Sequence, residues 1–269
     1  MKSPSPTYPS VIVSTSRNPH ALSLVLEALR LQTRVPAEIL VAEDGTDEHT
    51  KRVIEHMKPR LRCTLRHFWQ PHQGFRKTII VNRAAAVATG DYLIFLDGDC
   101  MPDRRFIADH LKLAAPGAFV QGRRSGVREA FVRLVNPATF DPLLWYIAGR
   151  LHGFRYAVRR WRPTVRVNDL SVVQGCNLAM WRDDFFRVNG YDESFSGWGY
   201  EDSELVTRLC NAGLTCKTVI GRAIVYHLDH PPADRSRVNE NVSRFERTQR
   251  EHLTWCEQGV SRGTGTYRR

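Results

Sequence analysis

The stretch DYLIFLDGDC, residues 91–100, contains the most apolar predicted strand of the chain, and two carboxylates end it. Asp97 and Asp99 follow the run YLIFL with only Gly98 between them. Like charges in such close quarters are costly unless a cation or a hydrogen-bond donor offsets them. The stretch therefore predicts a buried strand whose carboxyl end forms a binding site for a divalent metal and a phosphorylated ligand. The alternative is an ordinary Asp-Gly turn.

The alternation of strand and helix extends on both sides of this stretch. Apolar and β-branched runs predict strands at 10–15, 37–45, 61–69, 91–96 and 118–121. Helical spacing of apolar residues predicts helices at 20–32, 47–58, 75–88 and 104–114. This order favours an α/β fold with a doubly wound, mostly parallel sheet. Ligands of such sheets bind beyond the carboxyl ends of the strands, where Glu43 and Asp44 lie as well.

Composition limits the partners and the compartment. The 269 residues include 39 Lys and Arg against 28 Asp and Glu, and the net charge of +11 predicts an anionic partner. The alternative is a merely basic protein. The six cysteines form no C-x-x-C pair, which favours reduced thiols in a cytosolic setting. The proline-rich start is unlike a signal peptide, and no apolar run approaches the length of a membrane span.

Residues 123–168 form the most basic segment of the chain. They hold ten arginines, at positions 123, 124, 128, 133, 150, 155, 159, 160, 162 and 166. An apolar stripe predicts an amphipathic helix whose members are Leu144, Ile147, Leu151, Phe154, Val158 and Trp161. Such a helix could bind an anionic bilayer surface, or it could pack its stripe on the core and solvate its arginines. We expect the joint replacement of Arg155, Arg159 and Arg160 to weaken membrane or acceptor association.

The second half contains three informative places. Residues 172–181 predict a strand with a glycine break, and 189–213 predict a glycine- and aromatic-rich loop that enters a helix. Glu201 and Asp202 fall in the first turn of that helix, where they could simply complement its dipole. A further strand, 223–232, carries His227 and His230. Residues 238–258 predict a polar helix, and the remaining tail is expected to fray.

Several motifs resemble the family-2 glycosyltransferases of the GT-A fold. They are VIVSTSRN, VAEDG, HQGFRKTIIVNRAAAVATGDYLIFLDGDCMP, QGCNLAMWRDDFFRVNGYDE and GWGYEDSELVTRL. The second half is similar to the galactosyltransferase-like C-terminal segment found in some of these enzymes. An isolated D-x-D motif is weak evidence. Its combination with G-W-G-Y-E-D about a hundred residues later, and with a histidine at a strand end, is specific.

The resemblance implies an inverting transfer from a nucleotide sugar, expected to be a UDP-sugar, with Mn²⁺ or Mg²⁺ as cofactor. It assigns Asp202 as catalytic base and Glu201 as a partner that binds the acceptor or the sugar. It assigns the metal to Asp99, with His227 as a further ligand, and Asp97 would contact the ribose of the donor or reach the metal through water. His230 competes with His227 for that role. The residues implied in binding the nucleotide sugar are Ser14, Thr15, Arg17, Glu43, Asp44, Arg76, Lys77, Asp97, Gly98 and Trp198.

The same resemblance implies a domain plan and a setting. A single GT-A catalytic domain would cover residues 1–235, with a nucleotide-sugar-binding half at 8–122, the basic insertion at 123–168, and an acceptor and catalytic half at 169–235. A C-terminal helix and tail would occupy 236–269. The arginines suggest a saccharide or glycolipid acceptor at the cytoplasmic face of a bacterial inner membrane. Lipopolysaccharide core is the first expectation, and a capsule or O-antigen intermediate is the second.

Two other classes of protein remain as alternatives. A sugar-phosphate nucleotidyltransferase also uses aspartates and a metal beside a parallel sheet, but it leaves G-W-G-Y-E-D without a role. A nucleic-acid-binding protein would account for the charge and would bind in a salt-sensitive way. The chain carries no recognised nucleic-acid-binding module, so no nucleic-acid partner is expected. A dinucleotide oxidoreductase is disfavoured because no G-x-G-x-x-G follows the first strand.

Overall fold

The computed structural model describes residues 8–231 and 234–262, in which twelve strands form two sheets. In chain order the strands are β1 (Pro9–Thr15), β2 (Glu38–Asp44), β3 (Thr64–Gln70), β4 (Tyr92–Asp97), β5 (Cys100–Pro102), β6 (Ala118–Gly122), β7 (Arg124–Val127), β8 (Leu151–His152), β9 (Thr164–Val167), β10 (Asn177–Trp181), β11 (Thr215–Ile220) and β12 (Val225–Leu228).

Nine α-helices lie among the described residues. They are α1 (Pro19–Arg30), α2 (Glu48–Met57), α3 (Lys77–Ala86), α4 (Phe106–Leu113), α5 (Pro142–Ile147), α6 (Phe154–Ala157), α7 (Arg182–Arg187), α8 (Glu201–Asn211) and α9 (Val238–Arg250). Short 3₁₀ turns occur at Lys58–Arg60, Glu129–Leu134 and Val260–Arg262. None of the helices in the described ranges has both the length and the apolar character that a membrane crossing requires.

The larger sheet has eight strands in the order β3-β2-β1-β4-β10-β6-β11-β9. Strand β1 lies between β2 and β4 and runs parallel to both, and β3 continues the parallel half beyond β2. Strand β10 runs antiparallel to β4 and β6, so the second half of the sheet is mixed. The expected α/β fold is confirmed, and the early predicted elements differ from the observed ones by a few residues.

Burial explains why these segments became strands. Val11, Val13 and Ile94 pack on one face of the sheet against α1, while Ile12 and Leu93 pack on the other face with α3. A strand that is apolar on both faces needs cover on both, and the alternating helices provide it. Because helices cover both faces, the side of the parallel half that stays open is the one formed by the carboxyl ends of β1, β2 and β4.

The smaller sheet holds the histidine strand next to the Asp-Gly-Asp turn. Its order is β5-β12-β7-β8. His227 on β12 lies opposite Cys100 on one side and Gly126 on the other. Because β5 starts directly after Asp99, the pairing of β5 with β12 brings residue 227 beside the end of β4, although 128 positions separate Asp99 from His227 in the sequence.

The basic segment 123–168 is not one amphipathic helix, so that prediction is wrong. The chain instead passes through β7, a 3₁₀ turn, α5, β8, α6 and β9. Gly149 and Gly153 adopt positive φ angles of 69° and 68°, which breaks the helical path. The predicted stripe is divided as a result: Leu151 is 2% exposed, whereas Ile147 is 71% and Trp161 is 92% exposed.

Arg159 is also not a solvated or membrane-facing arginine. Its guanidinium donates two hydrogen bonds, of 2.7 and 2.5 Å, to the carboxylate of Asp109, which is 2% exposed. This bidentate pair fixes the basic segment to α4. The joint replacement of Arg155, Arg159 and Arg160 would therefore disturb the fold as well as the surface, and it does not test membrane binding.

The C-terminal region departs from the prediction at two points. Helix α9 ends at Arg250 rather than at 258. Val260, in the tail that was expected to fray, is 3% exposed and packs in the core beside Val188. Residues 263–269 of that tail lie outside the described ranges.

Candidate active site

The Asp-Gly-Asp turn lies directly on the end of β1. The Gly98 amide donates to the Ser14 carbonyl at 2.7 Å. A Cβ atom at position 98 would lie 2.9 Å from Thr15 Cβ and 3.0 Å from the Ser14 carbonyl oxygen. Only glycine permits this approach. The turn at Gly98 places the two aspartates in different environments. Asp97 lies beside Ser14 and Lys77, whereas Asp99 lies beside two histidines.

Lys77 joins Asp97 to Asp202. Its Nζ atom lies 3.0 Å from Asp97 Oδ1 and 3.5 Å from Asp202 Oδ2, and its side chain is 12% exposed. Ser14 Oγ donates to the same Asp97 oxygen at 2.7 Å. Burial alone would lower the pKa of Lys77, but the attraction of Asp202 and Asp97 outweighs it and holds the pKa well above its usual value. The ammonium group therefore offsets the charge of both carboxylates.

Asp202 occupies the second position of α8, and contacts outside the helix fix its carboxylate. The Tyr191 hydroxyl donates to Asp202 Oδ1 at 2.9 Å. A Cβ atom at position 175 would lie 1.8 Å from Asp202 Cγ, so Gly175 provides the space for this side chain. The Asp202 side chain keeps 20% of its surface exposed. Its carboxylate is thus held in place and remains open to a ligand.

Glu201 is more deeply placed than Asp202. The residue is 5% exposed, and its carboxylate accepts a hydrogen bond of 3.0 Å from the Gly199 amide. Burial, reinforced by the nearby Asp202 charge, raises the pKa of Glu201 to about 7. Of the two adjacent carboxylates, only Asp202 combines exposure with a cationic neighbour, which agrees with its expected role as the proton acceptor.

Asp99, His227 and His230 form the candidate metal centre. One ligand atom from each of the three residues lies within 4.8 Å of the other two. Asp99 Oδ2 is 2.9 Å from His230 Nε2 and 3.8 Å from His227 Nε2. The hydrogen bond to Asp99 raises the pKa of His230 to about 9. The structure thus brings both histidines to Asp99, so both are candidate ligands and the choice between them stays open.

One atom of Asp99 fits a metal ligand independently of the histidines. Asp99 Oδ1 is buried and accepts no hydrogen bond from an N–H or O–H group of the described residues. A buried polar atom without such a partner is costly unless an ion or water satisfies it. One carboxylate and two imidazoles form a donor set that suits a borderline divalent ion. The residues present therefore fit the divalent metal that the resemblance implied.

The expected nucleobase pocket lies at the ends of β2 and β3. Asp44 Oδ1 accepts from the Gln70 side-chain amide at 2.9 Å, and Asp44 Oδ2 accepts from the Arg76 backbone amide at 2.5 Å. Glu43 Oε2 is 2.8 Å from His67 Nε2, and Glu43 is 1% exposed. Both acidic residues are thus engaged by the protein itself. Asp44 is also only 4% exposed, and its expected contact with the nucleobase stays a prediction.

Arg17, Arg76 and Trp198 lie around these groups. Arg17, with a positive φ of 46°, lies against Gly45 beside the end of β2. Arg76 precedes α3, and its buried Nε has no hydrogen-bond partner among the described residues. Trp198 is 39% exposed, and the Arg235 guanidinium lies 4.8 Å from its ring centroid. The sugar-stacking role expected of Trp198 stays a prediction.

The loop that carries Trp198 is tied to the segment before α3. The Gly197 amide donates to the Phe75 carbonyl at 3.1 Å, which brings G-W-G-Y-E-D next to H-Q-G-F-R-K. Four residues around the site were not expected from sequence: Tyr191, Gly175, Asp229 and His152. Tyr191 lies in the quoted motif N-G-Y-D-E, and its hydroxyl could have marked it as a candidate site residue. No pattern in the sequence singles out His152, because its partner lies 77 positions away.

Comparisons with known proteins agree with this geometry. A family model for glycosyl transferase family 2 matches residues 10–162, and a model described as the N-terminal domain of galactosyltransferase matches residues 151–231. The validoxylamine A glucosyltransferase of Streptomyces hygroscopicus subsp. limoneus is 28% identical in an alignment of 229 positions that covers 76% of this chain and 48% of that protein. The chondroitin synthase of Escherichia coli is 22% identical over 82% of this chain and 35% of that protein.

Two solved structures share the fold. The mannosyltransferase PcManGT from Pyrobaculum calidifontis, in complex with GDP-Man and Mn²⁺, has a TM-score of 0.58 at 18% identity over 90% of this chain and 61% of that one. S. aureus TarS 1–349 has a TM-score of 0.63 at 14% identity over 91% of this chain and 65% of that one. The chain spans about half or less of the length of the two relatives named above. Since the first family model covers more than half of its residues, this chain belongs to glycosyl transferase family 2 and has the GT-A fold.

Proposed function

We propose that this chain is an inverting, metal-dependent glycosyltransferase that moves a sugar from a nucleotide sugar, in the first instance a UDP-sugar, to a saccharide or glycolipid. The observation that carries the proposal is the single turn 97–99, which joins two chemically different clusters. Asp99 faces His227 and His230, while Asp97 faces Lys77 and, through it, Asp202. A metal ligand set and a candidate base thus lie on either side of one glycine.

Asp99, His227 and His230 would hold the divalent cation. Bound there, the ion would supply positive charge to the diphosphate as the bond to the sugar breaks. Imidazole ligands favour Mn²⁺ over Mg²⁺, which prefers oxygen ligands and retains several waters. A relative in the fold, PcManGT, was solved with GDP-Man and Mn²⁺, which supports a metal of this kind.

The chain's own residues account for the remaining work. Asp202 would accept the proton of the attacking hydroxyl, because it is a partly exposed carboxylate whose orientation Tyr191 fixes. The Nζ atom of Lys77 lies 3.5 Å from Asp202 Oδ2, where the ammonium group would also meet the anionic donor. Trp198 would present its ring to a sugar. Asp97 would receive the ribose, with Ser14 holding one of its oxygens.

The alternatives fit the same residues less well. A nucleotidyltransferase would use the acidic turn but would leave Asp202 and Trp198 without a task. The binding of nucleic acid would use the net charge of +11 but not the cluster of Asp99 with two histidines.

The experiment that tests the function is a panel of nucleotide sugars, scored by thermal shift with Mn²⁺, with Mg²⁺ and with chelator. A ligand that binds only the folded state raises the melting temperature. We expect at least one UDP- or GDP-sugar to raise the melting temperature, and this rise to require the metal. When saccharide acceptors are added, we expect slow release of the nucleotide. Release of pyrophosphate from a nucleoside triphosphate and a sugar phosphate would instead identify a nucleotidyltransferase.

The proposed setting is the cytoplasmic face of a bacterial inner membrane, with a lipopolysaccharide core or another surface glycolipid as acceptor. Its support is the apolar face of α5, where Leu143, Leu144 and Ile147 are 52%, 64% and 71% exposed among the described residues. The Arg150 guanidinium lies over the ring of Trp145 in α5, and Arg155 belongs to α6, whose Phe154 stacks on Tyr146 of α5. Apolar and cationic side chains together suit an anionic bilayer surface.

We expect the double variant Leu144→Ser with Ile147→Ser to lose binding to vesicles of phosphatidylglycerol and phosphatidylcholine. Removal of two inserted aliphatic side chains should weaken association by roughly 10-fold or more. Co-sedimentation with these vesicles, and with phosphatidylcholine alone, measures the effect. Val87→Ser is the matched control, because Val87 is an exposed aliphatic residue at the end of α3, outside the basic segment. Equal sedimentation of all three proteins would reject the bilayer surface.

A further inference from the structure

Two histidines share one carboxylate behind the candidate metal centre. Asp229 Oδ1 accepts from His227 Nδ1 at 2.9 Å, and Asp229 Oδ2 lies 2.8 Å from His152 Nε2. Because Nδ1 of His227 is used in this bond, its Nε2 is left free on the side of Asp99. The chain of contacts therefore runs from Asp99 through His227 and Asp229 to His152.

The sheet leaves space for this arrangement at one glycine. Gly126 on β7 lies opposite His227 on β12 and opposite His152 on β8. A Cβ atom at position 126 would lie 2.0 Å from His152 Nε2 and 2.9 Å from Asp229 Oδ1. The space that any other residue would fill is thus occupied by the histidine–carboxylate pair.

The backbone of His152 is anchored on both sides. Leu151 is 2% exposed and pairs with Val127, and Ser125 Oγ donates to the His152 carbonyl at 2.5 Å. The side chain itself is 52% exposed, so it contributes little to the core. A fixed backbone with a half-exposed imidazole directed at a carboxylate is better suited to orienting that carboxylate than to packing.

We propose that His152 is a positioning residue for the metal ligand His227 and acts through Asp229. The inference rests on the proposed metal-dependent function. A carboxylate that accepts from a ligating histidine fixes the tautomer and ring orientation and strengthens the imidazole as a ligand. His152 restrains the second oxygen of that carboxylate and so limits its rotation. The basic insertion thereby supplies an outer partner to a metal site whose ligands lie outside it.

The variant His152→Ala should weaken Mn²⁺ binding by about 10-fold, the lower end of the range for outer partners of metal ligands, because half of the imidazole faces water. The free Mn²⁺ signal in electron paramagnetic resonance measures this affinity without any donor. His152→Gln should retain most of the affinity, since its amide can donate to Asp229. His49→Ala is the matched control, because His49 is an exposed histidine in the first turn of α2.

Kinetics separate positioning from catalysis. In His152→Ala the Mn²⁺ concentration for half-maximal activity should rise by the same factor, while kcat at saturating Mn²⁺ stays close to that of the unaltered protein. Unchanged Mn²⁺ affinity in His152→Ala, or equal losses in the Ala and Gln variants, would overturn the inference. His227→Ala distinguishes the two levels: if it leaves Mn²⁺ affinity unchanged, the metal site itself is wrong, whereas a loss there with none in His152→Ala rejects only the role of His152.

Discussion

The variant Asp202→Asn should bind the nucleotide sugar with nearly unchanged affinity and lose about 1,000-fold in kcat, within the usual range for a general base. Asparagine keeps the shape of the side chain and can still accept a hydrogen bond from Tyr191, but it cannot take a proton from the acceptor. Donor affinity measured by calorimetry and turnover measured by nucleotide release would separate the two effects.

Asp183→Asn provides the matched control. Asp183 occupies the second position of α7 just as Asp202 occupies the second position of α8, so each carboxylate complements a helix dipole. Asp183 is exposed and lies outside the site. If both variants lose only a little stability and neither loses turnover, Asp202 is a helix-terminal residue and the base lies elsewhere.

The variant Asp99→Ala should abolish metal-dependent donor binding and lower transfer by at least about 1,000-fold, since metal stabilisation of a developing charge is worth several kcal/mol. It removes Asp99 Oδ2, which lies 2.9 Å from His230 Nε2 and 3.8 Å from His227 Nε2. Titration with Mn²⁺ should show a corresponding loss of affinity. The fold should survive, because the Asp99 side chain gives up few contacts. One of its two oxygens, Oδ1, has no N–H or O–H partner among the described residues.

Thermal unfolding of Asp99→Ala checks that the loss is local. Binding of a nucleotide sugar that still depends on Mn²⁺ in this variant would contradict the assignment of residue 99. A comparison with chelator-treated unaltered protein completes the design, because removing the metal and removing its ligand should give the same donor affinity.

The position of the two clusters has a mechanistic consequence. In the proposed mechanism the diphosphate would lie on the side of Asp99, where it would meet the cation, and the acceptor on the side of Asp202, where it would meet the base. Lys77 lies between them, 3.0 Å from Asp97 and 3.5 Å from Asp202. An incoming anionic donor would compete with these carboxylates for the same ammonium group, which agrees with a site that becomes fully organised only when the donor is bound.

Much of the fold could be predicted from local patterns. The first helix was predicted at 20–32, and α1 is observed at Pro19–Arg30. The strand that ends at Asp97 was predicted within one residue. These successes have one cause. A strand buried on both faces gives a short continuous apolar run, whereas a helix with one buried face gives apolar residues three and four positions apart. The acidic ends of β2 and β4 were visible for the same reason.

The basic segment shows where local patterns fail. Its stripe has helical spacing, but left-handed glycines and the Arg159–Asp109 pair direct the chain otherwise. Hydrophobic spacing gives a helix only when some surface covers the stripe, and the pattern carries no information about that surface. The exposure of Leu144 and Ile147, beside the burial of Leu151, could be learned only from the folded chain.

The sequence by itself determined the main strands and helices before the basic segment, the acidic turn at 97–99 and the presence of histidines and carboxylates in the second half. The tertiary structure alone decided which of them meet. Pairing of β5 with β12 brought His227 and His230 to Asp99. Burial of α3 and α8 residues in one core cluster brought Lys77 to Asp202. The physical reason is that a metal or catalytic site depends on distances of a few ångströms between residues far apart in the chain, and the burial of the whole core sets those distances.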